Sequence, residues 1–223
     1  MAAEPTPRLP LSRERILESA LVLVDEHGLE SLTMRKLGQE LGFEAMSLYN
    51  HVANKDELIN GLLDLVLAEC ELPSTGGDWD TAVRRSATSV HDALRRHQWA
   101  CSLLMVPGRV RPARLQYMDA LLGCLRNAGF SAELTYTAYH VLDGHILGFS
   151  LWEASHTYSD IDVAEMAERF KDTITTDVYP HLYEHAEQHF PEGPHRDVHA
   201  FEFGLDLILD GLKKIQATDQ PSS

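Results

Sequence analysis

A chain of 223 residues with 44% hydrophobic and 24% charged side chains carries enough apolar material for a buried core and is neither disordered nor collagen-like in composition. Its 34 acidic against 19 basic residues leave a formal net charge of -15, which excludes broad adhesion to nucleic acid or anionic membrane and restricts any DNA-binding surface to a small patch. Cys70, Cys101 and Cys124 form no CxxC pair, no stretch approaches the ~18 apolar residues of a membrane span, and the Pro-rich residues 1–11 lack the apolar run of a signal peptide; the expectation is a soluble, cytoplasmic protein with reduced thiols.

After the loose arm at 1–11, Ser12 is an N-cap for "RERILESALVLVDEHG", whose apolar residues Ile16, Leu17, Ala20, Leu21, Leu23 and Val24 recur at helical spacing before Gly28 stops the helix. Thr33 starts a second helix that keeps Leu37 and Leu41 inside and ends at Gly42, and a third is expected from about Glu44 to Val52. Asn54 caps a fourth, with Glu57 at N3 and a stripe of Leu58, Ile59, Leu62, Leu63, Val66 and Leu67. "ELPSTGGDW", residues 71–79, is the best boundary in the chain. Helical patterns follow near 79–98, 112–128, 132–156, 162–189 and 196–216, and no segment alternates with period two for long enough to be a strand. The reading is all-α: a helix-turn-helix domain over 12–70 and a larger helical domain over 78–217.

Helix, tight Gly turn and second short helix is the helix-turn-helix arrangement. At about 100° per residue, setting Leu48 inward brings Val52 beside it, places Met46, Ser47, Tyr49 and Asn50 on the outer arc, and leaves Ala45 and His51 on the flanks. Asn and Ser hydrogen-bond base edges, Ala and Met meet a thymine methyl, and Tyr reaches a base or a phosphate. Arg35 adds a base or phosphate contact, and Lys55, at the start of the next helix, suits a phosphate. The alternative is a hairpin with a merely solvated face, but such a face favours Glu and Lys over the Met, Tyr, Asn and His found here.

The stretch "RERILESALVLVDEHGLESLTMRKLGQELGFEAMSLYNHVANKDELINGLL", about residues 12–65, resembles the DNA-binding domain of the TetR family of transcriptional regulators, with "LTMRKLGQELG", "SLYNHV" and "NKDEL" carrying the likeness. The resemblance implies recognition positions at Arg35, Ala45, Met46, Ser47, Tyr49, Asn50 and His51, backbone-contact positions at Thr33 and Lys55, and a double-stranded operator as partner. Asn50 stands where many relatives have an aromatic residue and Met46 where some have proline, so no relative's operator transfers to this chain.

In the C-terminal half, Phe201, Leu205, Ile208, Leu212 and Ile215 recur at spacings of four, three, four and three. Such a seam, flanked by Gly204 and Gly211, is expected to pair with the helix around Gly144, Gly148, Phe149 and Trp152 across the two-fold axis of a homodimer; both could equally be central helices of a monomeric bundle. Leu103, Leu104, Met105, Tyr117, Met118, Leu121, Tyr136, Tyr139, His140 and Asp143 mix apolar walls with a few polar groups, as a site for a small-molecule inducer requires; helical stripes of this kind are also what ordinary core looks like. This half resembles the tetracycline repressors in breaks such as "NAGFS", yet Cys70, Glu71, Leu103 and Leu104 stand where those repressors hold a metal–drug complex. A metal-free apolar or aromatic inducer is therefore expected, and no cofactor.

His181, His185 and His189, spaced by four and followed by His195 and His199, support an alternative: a metal-responsive regulator. With no nucleophile elbow, phosphate-binding Gly loop, HExxH motif or paired carboxylates, the chain is not read as an enzyme. A ligand-responsive dimeric transcriptional repressor is the expected function; a helical module that has lost DNA binding is its rival.

Overall fold

The computed structural model describes residues 10–106, 111–155, 173–189 and 199–219. Three of the first four helices begin at a side chain that satisfies an amide the helix itself leaves unpaired. Ser12 Oγ accepts from the Arg15 N–H at 3.3 Å to open α1 (Arg13–His27). Thr33 Oγ1 accepts from the Lys36 N–H at 3.1 Å to open α2 (Met34–Leu41). Asn54 Oδ1 accepts from the Glu57 N–H at 2.8 Å to open α4 (Lys55–Ala68). Glu57 returns the bond one residue further back than a capping box would, accepting from the Ala53 N–H at 2.7 Å. Between α2 and α4 lies α3 (Ala45–Leu48).

Beyond α4 come α5 (Trp79–Arg96), the short α6 (Trp99–Leu104), α7 (Pro112–Asn127), α8 (Ala132–Ser155), α9 (Pro180–His189) and α10 (Ala200–Asp219). The described residues form an all-α protein without a strand, and none of their helices is long and apolar enough to cross a membrane. Part of the pattern expected over 162–189, residues 162–172, lies outside the described residues, as do 1–9 of the N-terminal arm.

The turn between α2 and α3 is dictated by two glycines. Gly42 adopts the left-handed conformation (φ 74°, ψ 28°), which a side chain disfavours. The Gly38 carbonyl accepts from the Phe43 N–H at 2.9 Å, and a Cβ on Gly38 would stand 2.7 Å from the Phe43 carbonyl oxygen, so the close approach of the two helices requires its absence. α3 is shorter than the expected Glu44–Val52. The α-helical span ends at Leu48, and Asn50 and His51 close tighter turns onto Ser47 and Leu48. Two causes act together: Tyr, Asn and His are indifferent helix formers, and Asn54 must be extended (φ -165°) to cap α4, so the chain has to leave the helical path early.

One continuous apolar core runs from α1 to α10. α4 is its common member, packed on α1 and also on α5, α6 and α7. Its pairs Leu58–Ile59, Leu62–Leu63 and Val66–Leu67 are all buried, which widens the apolar stripe enough to serve two sides. The segment 71–79 is fastened to this body. The Glu71 N–H donates to Ser89 Oγ at 2.8 Å, Ser86 Oγ donates to the Glu71 carbonyl at 2.6 Å, and Cys124 Sγ meets the Ser74 carbonyl at 3.6 Å.

The expected seam on the last helix is corrected. Phe201, Leu205 and Leu212, with Leu209, are buried within the chain itself, where α10 packs on α8 and α5, while Ile215 is exposed. Gly204 is likewise internal, since a Cβ there would meet the His145 ring at 2.5 Å. A four-three spacing specifies a buried helix face without saying whether the burying surface comes from the same chain or a second one.

Replacing Gly42 by Ala should lower stability by roughly 1–2 kcal/mol through the left-handed conformation. Gly38→Ala should cost more, because the new methyl meets backbone that cannot rotate away. Urea denaturation of both variants checks the order.

Candidate DNA-reading face and effector site

Leu48 and Val52, both buried, hold α3 and the turn after it against the core, and that anchoring decides what faces out. Met46 is 74% exposed and Tyr49 44%, and Asn50 is exposed beside them. Ala45, Ser47 and His51 are half-buried on the flanks. Arg35 and Thr33 at the start of α2 and Lys55 at the start of α4 are exposed. The Thr33 hydroxyl already accepts from Lys36, which leaves its proton free to donate outward. Exposed Arg35 on α2 and Lys55 on α4 thus come before and after the uncharged exposed residues Met46, Tyr49 and Asn50, a set suited to phosphates through the cations and to bases through the residues between them.

A second group of polar side chains lies between α7 and α8. Arg114 Nη2 donates to Asp143 Oδ1 at 2.5 Å and to the Tyr139 hydroxyl oxygen at 3.4 Å, and its guanidinium stands 5.7 Å from the centre of the Tyr117 ring. Burial works against the Arg114 charge, but the Asp143 carboxylate outweighs it and holds the guanidinium above its ordinary value. Burial pushes both tyrosine hydroxyls up, Tyr117 most, so neither ionises near neutral pH. The result is a cation, a carboxylate and two phenols in a largely apolar wall.

Tyr117, Tyr139 and Asp143 thus come together, with Leu121 buried nearby in α7. Leu103 and Leu104 are half-buried in α6, and Met105 is exposed after it. Tyr136 and His140 lie at the solvent, where His140 Nδ1 sits 2.8 Å from the Tyr136 carbonyl oxygen, and the His140 ring stands edge-on to Tyr139 at 5.0 Å between ring centres, at the border of the Arg114 group. Arg114 itself escaped the sequence reading, because nothing in residue spacing pairs the start of α7 with the middle of α8.

The sequence reading also missed two buried histidines. His91 on α5 bonds Glu153 on α8 at 2.5 Å and stacks on Phe201 of α10 at 3.8 Å between ring centres. His97, after α5, bonds two carboxylates at once. The three cysteines are free and buried, and burial pushes the Cys70 and Cys101 thiols up to about 11, so neither is an available thiolate. Among the described residues no group of three or more His, Cys, Asp or Glu is placed to hold a metal ion. His181 and His185 are exposed on α9; the His189 side chain and His195 lie outside the described residues.

The chain matches known proteins along most of its length. A model of the tetracyclin repressor-like C-terminal domain covers residues 72–216, and one of bacterial regulatory proteins of the tetR family covers residues 16–62. The chain is similar to the class C tetracycline repressor protein of Escherichia coli, 30% identical over 213 residues with 93% of each covered. It is also similar to the HTH-type transcriptional repressor DrrR1 of Streptomyces coeruleorubidus, 29% identical over 221 residues, covering 95% of this chain and 80% of that protein. Among solved structures, ActR of Streptomyces coelicolor in complex with actinorhodin superposes with a TM-score of 0.73 at 27% identity, covering 92% of this chain and 96% of that one.

Removing the Arg114 cation strands Asp143 in a largely apolar wall. Arg114→Met should lower stability by roughly 1–3 kcal/mol, and Arg114→Met combined with Asp143→Leu should recover most of it. A double-mutant cycle by chemical denaturation measures both.

Proposed function

The chain belongs to the TetR family of bacterial regulatory proteins, and from that membership we propose a dimeric repressor that reads a palindromic operator through α3 and is released by a small aromatic molecule. Ligand-responsive transcriptional regulation through a helix-turn-helix is what the family does; the residues, the dimer and the ligand class are our reading. One observation carries it most: the outward positions around buried Leu48 are Met46, Tyr49 and Asn50 rather than the Glu and Lys of a solvated face. Arg35, Ala45, Ser47 and His51 complete the recognition set, with Thr33 and Lys55 on phosphates.

The dimer surface we assign differs from the buried seam. On α10, Phe203 and Leu207 are 65% and 61% exposed, and Gly211 follows at the same spacing of four with open space where a Cβ would be. On α8, Val141 and Trp152 are exposed, and Gly144 and Gly148 between them are equally open. Two adjacent helices thus present apolar, glycine-relieved faces outward, which suits a four-helix contact with a second copy. Two reading heads then meet two half-sites about one DNA turn, ~34 Å, apart.

ActR, to which the chain is similar, is bound to actinorhodin in one solved complex. For this chain we place an aromatic ligand against Tyr117, Leu121 and Tyr139, with Arg114, Asp143 and Tyr139 as polar anchors, Leu103, Leu104 and Met105 along the wall, and Tyr136 and His140 at the rim. No metal is needed, since the ligand's oxygens meet the Arg114 cation directly. The signal has a physical route: Arg111, buried at the N-terminal end of α7, donates to the Asn60 carbonyl of α4 at 3.4 Å, and α4 begins at Lys55 beside α3. Release requires tighter ligand binding to the form with misplaced heads; equal affinity for both forms changes nothing.

Duplexes selected from a random pool supply the DNA for the test. Asn50→Ala should cost about 1–3 kcal/mol on the selected duplex and relax its sequence, whereas Lys55→Ala should weaken all duplexes alike and lower the salt slope by about one. Unchanged specific binding by a folded Asn50→Ala protein would remove α3 as the reader. In sedimentation, Phe203→Glu with Leu207→Glu should give folded monomers without operator binding, whereas Leu205→Glu should fail to fold.

A further inference from the structure

Where α1, α4 and the α5–α6 junction meet, the contact is polar and directional rather than greasy. His97 is buried there as the residue that ends α5. Its Nδ1 lies 2.8 Å from Asp25 Oδ1 on α1, and its Nε2 lies 3.2 Å from Oε1 of Glu69, the residue that ends α4. Each carboxylate has a second partner from the α5–α6 side. Trp99 Nε1 donates to Asp25 Oδ1 at 2.7 Å, and Arg96 Nη2 donates to Glu69 Oε2 at 2.7 Å. Burial opposes the Glu69 charge, but Arg96 and His97 outweigh it and hold that carboxyl below its usual value.

Both neighbours of the ring are acceptors only, and a neutral imidazole has a single N–H. The two contacts are therefore both hydrogen bonds only when the ring carries two protons. Imidazolium and guanidinium then balance two carboxylates, and the junction is neutral. A neutral ring would keep one bond and leave the second carboxylate facing a lone pair.

The position of this junction gives it a consequence for DNA reading. Apolar packing between α1 and α4, through residues such as Ile16, Leu17, Leu58 and Leu62, is non-directional, whereas bonds to both ring nitrogens fix an angle. Asp25 lies near the C-terminal end of α1 and Glu69 at the C-terminal end of α4, both remote from α3. At 1.5 Å per residue α4 is ~21 Å long, so a tilt of ~10° at the His97 end moves the Lys55 end by roughly 4 Å, enough to lose contacts made by hydrogen bonds.

We propose that His97, held between Asp25 and Glu69, is a positioning residue for operator binding: it clamps α1 and α4 to the α5–α6 junction and so sets the angle of the reading head without touching DNA. The inference rests on DNA reading by α3, which the selection of a duplex by the wild-type protein tests first and separately. Specific binding by a dimer needs both heads at the right angle, but non-specific binding needs only positive charge near phosphates, so a lost clamp separates the two.

The test compares wild type, His97→Gln, Asp25→Ala and the double variant, each confirmed folded and dimeric, on the selected duplex and on an unrelated duplex of equal length. Each single substitution should weaken the selected duplex on the order of tenfold and leave the unrelated one unchanged. The double variant should lose little more than either single one, because the two side chains act as a unit. Should His97→Gln fail to fold, Asp25→Asn, which keeps an acceptor for Trp99, carries the same expectation in a weaker form, a loss on the selected duplex alone. Specific affinity within twofold of wild type, parallel loss on both duplexes, or additive losses in the double variant would each overturn the clamp.

Discussion

A helix buried on two sides is the constraint on which the remainder of this molecule depends. α4 fills the space between α1 and the α5–α7 group with three successive pairs of large aliphatic side chains. Truncating any one of them would cost about 2–5 kcal/mol, because a close-packed core collapses only partly around a hole. The reading head and the C-terminal helices consequently share one core, and neither can shift far without the other. Close packing also makes such a contact prefer a few discrete arrangements over a continuum.

The charge pattern follows the same division of labour. A chain of net charge -15 does not wander onto DNA by bulk attraction, so the reading face proposed above would work through a few local groups, with exposed Arg35 and Lys55 as its proposed cations. Acidic side chains elsewhere are spent on joints between helices. Asp143 holds Arg114, Glu153 holds His91, Asp25 and Glu69 hold His97, and Asp80 holds Lys213. Hydrophobic burial supplies the cohesion of the fold, and these directional pairs settle how the helices are turned against one another.

Much of this was legible in the residues. Ser12, Thr33 and Asn54 announced helix starts because a capping side chain works within three residues of itself. Gly42 announced the turn because only a left-handed residue fits there. Helical angle put Leu48 and Val52 inward and Tyr49 and Asn50 outward, and their burial agrees, although the α-helix ends at Leu48 and Asn50 lies in the tighter turns that follow. What was not legible depended on contacts between distant parts of the chain. The Phe201–Leu212 face turned inward because α8 and α5 cover it, and no periodicity reveals the owner of a covering surface. The Arg114–Asp143 pair, and the two carboxylates around His97, join helices far apart in sequence. The short α6 is a single turn and a half with too few residues to show a period.

Coupling of head angle to the C-terminal helices is the claim most exposed to direct measurement. Because the native cysteines are buried, a cysteine introduced at exposed Gln39 on α2 takes a spin label selectively. The distance between the two labelled heads of the proposed dimer is then read by pulsed electron resonance in free protein, with a selected duplex, and with a ligand found by thermal shift. Coupled heads give one narrow distance on DNA and a displaced one with ligand. The same distance distribution in all three states would contradict transmission through α4.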